Sequence, residues 1–152
     1  MSVARTPRNA EIMNAKEYLK QYEYAVMKAK RCHEQYVEAM EKLDTIRSSL
    51  DTDGMPHESG VTKRTEELVE RLVDAGGRYL KAEEEALSIK EEVENVINQV
   101  SPGAKGAILY ERYIHLAKWE DIAELLVYSI SNVFKLHGQA LEEVEEIINH
   151  EQ

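Results

Sequence analysis

The chain is predicted to be all-α, a long antiparallel helical hairpin of coiled-coil type followed by a small three-helix module containing a helix-turn-helix. Three observations carry this prediction. Two extended stretches keep apolar residues at heptad spacing, a segment rich in turn formers separates them, and a Ser-Pro-Gly break at Ser101 ends the heptads and opens a region of shorter amphipathic segments. No stretch alternates polar and apolar residues long enough to propose a sheet. Composition agrees, since 152 residues with 43% hydrophobic, 32% charged and only 3 Pro and 7 Gly suit long helices around a modest core.

Taken in order, Thr6-Pro7 suits a helix start, because the hydroxyl accepts from free amides and the missing N–H of Pro costs nothing in a first turn. A heptad rhythm follows. One row holds Ile12, Leu19, Val26, His33 and Met40, the other Ala15, Tyr22, Ala29, Tyr36, Leu43 and Leu50. A stripe sustained for about five heptads must be buried against a partner. His33 on this stripe reads as a hydrogen-bonded core residue or a helix-pairing determinant. Asp51 to Gly60, DTDGMPHESG, breaks the pattern, and Thr62 or Thr65 is placed to cap what comes next. Val61, Leu68, Ala75, Ala82, Ile89 and Val96 then form one row, with Leu72, Tyr79, Ala86, Val93 and Val100 as the other. Two helices of similar length joined by a short loop fold back economically as a hairpin, closed within one chain or exchanged between two. Residues 1–100 are therefore read as an oligomerisation or partner arm, with a homo-oligomer expected. Gly76-Gly77 lies within the second helix and marks a bend or a close helix contact.

Ser101-Pro102-Gly103 is read as a cap with Pro at the first helical position, opening a module over residues 101–152. AKGAILYERYIHL forms one amphipathic helix, Trp119 to Leu126 a second, and Ser131 to about Ile148 a third. The last two have the spacing of a helix-turn-helix, in which one helix braces another whose outer face enters the major groove. Trp119, Ile122, Ala123, Leu126, Val133 and Leu136 are the structural core of this motif, with Ala140 also inward and Ala123 small enough for the helices to cross closely. Ser129 is placed to cap the recognition helix. Ile130, Ser131, Phe134 and Lys135 lie on or near its outer side.

The stretch LYERYIHLAKWEDIAELLVYSISNVFKLHGQAL resembles the fourth conserved region of bacterial sigma factors, in the version carried by small phage regulators of the ArpU and RinA type. The resemblance rests on Leu109, Arg112, Tyr113, Trp119, Glu120, Ile122, Ala123, Tyr128, Ser129, Val133, Leu136, His137, Ala140 and Leu141. The hairpin with its GMPHESG loop is similar to the N-terminal part of uncharacterised phage proteins bearing this module. The resemblance implies a phage or prophage transcriptional regulator, working in the cytoplasm of a bacterial host on double-stranded DNA. Lys118, Ser129, Ser131, Asn132 and Lys135 are the candidate DNA-binding residues. Ser131 and Asn132 have donors for base edges, and Lys135 suits a phosphate. The chain departs from the family at the turn, where Val127 stands in place of the usual Gly and a slightly different turn is expected. It departs also on the recognition helix, which has Ile130, Ser131, Asn132 and Gln139 where the family carries several cations.

Charge pulls toward a second reading. The net charge is −10, and residues 104–152 hold four Lys and Arg against nine Asp and Glu, a net of −5. Phosphate contacts need clustered cations, so a single copy is expected to bind DNA weakly. The alternative is an acidic module that keeps the helix-turn-helix frame but binds a protein, host RNA polymerase or another phage component. No phosphate loop, nucleophile motif or pair of catalytic carboxylates is present, so no enzyme activity is read from the chain. The loop residues Asp51, Asp53, His57 and Glu58 lack EF-hand spacing and read as solvated, while Met55 and Pro56 are left to pack on the hairpin or on a partner. Neither metal nor cofactor is expected. Cys32 stands alone, which fits a reducing compartment, and neither a signal peptide nor a membrane-spanning run is found.

Overall fold

A computed structural model describes residues 14–53 and 59–150, which are all-helical with no strand among them. The helices are α1 (Ala15–Asp53), α2 (Ser59–Ile97), α3 (Ala104–Tyr113), α4 (Trp119–Leu126) and α5 (Ile130–His150). The first two form a long hairpin closed within the chain, and the shorter helices follow it. Expectations placed on Thr6, Pro7 and Ile12, on the side chains of residues 50–62 with the loop acids, Met55 and Pro56 among them, and on the last two residues fall outside this description.

Asn14 caps α1, its Oδ1 accepting from the N–H of Glu17 at 2.9 Å. Burial along α1 follows Ala15, Tyr22, Ala29, Tyr36 and Leu43, as the heptads predict. The second predicted row holds at its start, where Leu19 is fully buried and Val26 half-buried, and fails farther along the helix. Tyr18, Ala25, Cys32, Ala39 and Ile46 turn inward, whereas His33 and Met40 are exposed. Both rows face inward as far as Ala25 and Val26, and beyond them the seam takes the row of Cys32 and Ala39, because small side chains let two helix backbones come close. Along α2 the predicted rows hold: Leu68, Ala75, Ala82, Ala86, Val93 and Val96 are buried, with Leu72, Tyr79 and Ile89 half-buried, and Val100 is buried just past the helix end. Since α2 begins at Ser59, Thr65 is an interior helical residue and no cap.

The chain divides into two compact units, Ala25–Ala86 forming one and Met1–Tyr24 with Leu87–Gln152 the other. In the Ala25–Ala86 unit the buried seam is Ala29, Leu68, Ala75, Ala82 and Ala86. Tyr36 stacks on Tyr79 with ring centroids 6.1 Å apart, and His33 lies against the same ring at 4.9 Å. His33 thus meets an aromatic ring at the exposed flank of the seam instead of lying within it. A Cβ added at Gly76 would come within 3.1 Å of the Tyr36 ring, so this glycine marks a close approach of ring to helix. The Lys28–Glu85 pair at 3.3 Å is exposed and contributes little.

In the other unit, Leu19 of α1, Val93 and Val96 of α2, Leu109 and Tyr113 of α3, and Ala140 and Val144 of α5 share one core. Residues on both sides of Ser101 thus share one core. Ser101 also does not cap α3, because its N–H and hydroxyl both donate to Glu143, at 3.0 and 2.6 Å, with Lys105 adding a contact at 3.0 Å. These hydrogen bonds, those of Ser101 foremost, hold the Glu143 carboxyl at about 2. The helix starts at Ala104 with Gly103 as N-cap at φ 119°, which puts Pro102 outside it, in a bend that needs glycine.

Candidate nucleic-acid interface

Helices α3, α4 and α5 build the helix-turn-helix around a small apolar cluster of Ile108, Ile122, Ala123 and Val133, with Ala117, Trp119, Leu126 and Leu136 packed on it. Every residue expected at the core of the motif is there. Ala140, expected on the same inner face, joins the larger core instead, since α5 continues past the motif and packs on the hairpin root. Sequence reading did not single out Ile108. Its signal is the apolar pair Ile108-Leu109, whose two side chains enter different clusters.

The turn keeps the left-handed geometry that glycine usually supplies, contrary to the altered turn expected from Val127. Val127 sits at φ 58°, ψ 43°, with its N–H bonded to the Glu124 carbonyl at 3.2 Å and that of Tyr128 to Ala123 at 2.9 Å. Its side chain is 89% exposed, so no neighbour crowds it, and the strain is confined to its own Cβ against the backbone. Val127→Gly is expected to raise stability by about 1 kcal/mol, the relief of left-handed strain less the extra freedom of glycine in the unfolded chain. Urea unfolding midpoints measure this, and a lower midpoint would contradict it.

Past the turn, the Ser129 Oγ accepts from the N–H of Asn132 at 3.1 Å, so its hydroxyl serves as the cap of α5. Ser131 and Lys135 are exposed on the outer face, as is Lys118 at the N-cap of α4, and Asn132 is half-buried. Lys105 is held by Glu143, and Arg112 donates to the Ala117 carbonyl at 2.9 Å. That leaves Lys118 and Lys135 as the module's cations without a partner among the described residues. Glu120 and Asp121 occupy the first turn of α4, where they suit the helix dipole but oppose an incoming phosphate. Beside these polar groups, Leu125, Val127, Tyr128, Ile130 and Phe134 are exposed, Leu125 by 62% and Phe134 by 48%.

An aromatic cluster braces the motif from below. The Arg112 guanidinium lies 4.4 Å from the Trp119 ring centre, and Phe134 and His137 meet that ring edge-on at 5.2 and 4.6 Å. His137 Nε2 shares a 2.7 Å hydrogen bond with the Tyr113 hydroxyl. Burial pushes the Tyr113 hydroxyl up to about 12. Burial, with Lys16 and Arg112 adding to it, pulls His137 down to about 4, so the imidazole is neutral at pH 7. The sequence marked Trp119 as core of the motif, and Arg112, Tyr113 and His137 only as points of resemblance. Their contacts with one another give each a packing role.

No protein-family model, curated protein or solved structure matches the chain. Among the described residues, no group of three or more His, Cys, Asp or Glu is placed to hold a metal ion, and no helix is long and apolar enough to cross a membrane.

Proposed function

We propose that the protein is a phage or prophage transcriptional regulator that engages double-stranded DNA through α4 and α5. The observation that carries this reading is the division of α5 into two faces: Val133 is fully buried against α4, while Ser131 and Lys135 one turn apart are exposed. Such a helix presents its first turns to a groove while the helix before it holds the angle of entry. Ser131 and Asn132 supply hydrogen bonds to base edges, and Lys118 and Lys135 meet phosphates. The likeness to sigma region four supports the same assignment. With a net of −5 over residues 104–152, one copy binds weakly, and a homo-oligomer offering two recognition helices compensates.

The test is binding of the full chain to promoter-region duplexes from the genome that encodes it, at low and moderate salt. Saturable, sequence-dependent binding is expected, about tenfold weaker in Lys135→Ala and weaker again as salt rises. A second reading is favoured by the exposed Leu125, Val127, Tyr128, Ile130 and Phe134. Apolar residues around a turn with acidic neighbours suit a basic protein partner, such as host RNA polymerase or another phage protein. Absence of duplex binding even at low salt, with polymerase binding lost in Phe134→Ala, selects this reading over the first.

A further inference from the structure

The chain carries 29 Asp and Glu against 19 Lys and Arg, yet its cations are not evenly spread. In the Ala25–Ala86 unit a groove of about 680 Å³ runs between α1 and α2, lined by Lys42, Lys63, Arg64 and Arg71, with Glu67 as its carboxylate. Ile46 and Leu68 supply apolar lining. Lys63, Arg64 and Arg71 have no ion-pair partner among the described residues. Lys42 contacts Glu38 at 3.4 Å on the same helix, an exposed pair readily exchanged for another anion. An adjoining groove shares Lys42 and Arg71 and adds Arg78, together with Glu38 and Asp74.

We infer that this groove is a binding site for the sugar–phosphate backbone of a nucleic acid, held without reading its bases. Clustered cations repel one another, and in an acidic chain their convergence on one groove makes it the place where a polyanion is attracted. Arg64 and Arg71 stand seven residues apart on one face of α2, about 10.5 Å along the helix. Two guanidinium forks at that separation can each take a separate phosphate of one strand. A single small anion would fill little of the groove, whereas an extended strand engages both arginines and Lys42 together. The site does not depend on the helix-turn-helix reading, because it concerns backbone contacts made by the hairpin.

The experiment uses the full chain and a mixed-sequence duplex of about 30 base pairs, followed by fluorescence anisotropy from about 50 to 200 mM salt. Arg64→Gln/Arg71→Gln is expected to weaken binding about tenfold or more and to reduce the slope of log affinity against log salt by about two. Both side chains are exposed and Gln is a good helix former, so helicity and mass stay unchanged. Arg64→Lys/Arg71→Lys keeps the charge and retains a slope near that of the parent, which separates lost charge from a disturbed hairpin. An unchanged affinity and slope in the Gln pair overturns the site, as does binding of poly-glutamate in place of the duplex. Lys135→Ala in parallel keeps the readings apart: its failure to affect promoter binding counts against the helix-turn-helix alone.

Discussion

Leu19→Asp is expected to abolish the folded state of the unit that carries the helix-turn-helix. Leu19 is fully buried in the core that α1 and α2 share with α3 and α5. Removing a buried leucine side chain costs about 2–5 kcal/mol, and a carboxylate left in its place adds several more for burial without a partner. A domain of this size is stable by about 5–15 kcal/mol in total, so the sum takes most or all of it. Far-ultraviolet circular dichroism during a thermal melt reads the result. Leu43→Asp, at a half-buried seam position in the Ala25–Ala86 unit, is expected to leave a cooperative melt in place. A Leu19→Asp chain melting within a few degrees of the parent would show that the shared core does not hold this unit together.

Acid is expected to destabilise the same unit in a window set by His137. Its folded value of about 4 lies below the ordinary 6.5, so as pH falls the unfolded chain takes up the proton first. Stability is fully present above about pH 6.5 and declines down to about pH 4, by roughly 2 kcal/mol once solvent near the ring is allowed for. Glu143, held at about 2, acts in a lower window, its contribution present above the ordinary value of 4.5 and lost as pH falls toward about 2. Tyr113 works at the other end, where stability declines as pH rises from 10 through about 12. Urea midpoints across the acid range test the assignment. In His137→Gln the fall between pH 6.5 and 4 should flatten, and an equal fall in that variant would place its origin elsewhere.

Much of this architecture was legible in the chain because it rests on local spacing. The bounds of α4 at Trp119 and Leu126, the two rows of α2, and the inner set Ile122, Ala123 and Val133 follow from which residues recur on one helical face, whatever that face later meets. Ser129 as a cap is equally local, since donor and acceptor lie three residues apart. The α1 seam was only half legible, for Met40 looks as apolar as Ala39, and only the approach of α2 selects the smaller of the two.

By itself, then, the sequence determined an all-helical chain, the bounds of α4, and a helix-turn-helix frame with Ser131 and Lys135 on the outer side. Tertiary structure alone decided that Val127 accepts a left-handed turn, that the hairpin root shares a core with α5, and that Tyr113 meets His137. It also decided that Lys42 faces the same groove as Arg64 and Arg71. The reason is physical: a helix records its own periodicity within a few residues, but a contact between distant residues depends on which flank the packing of another helix leaves open.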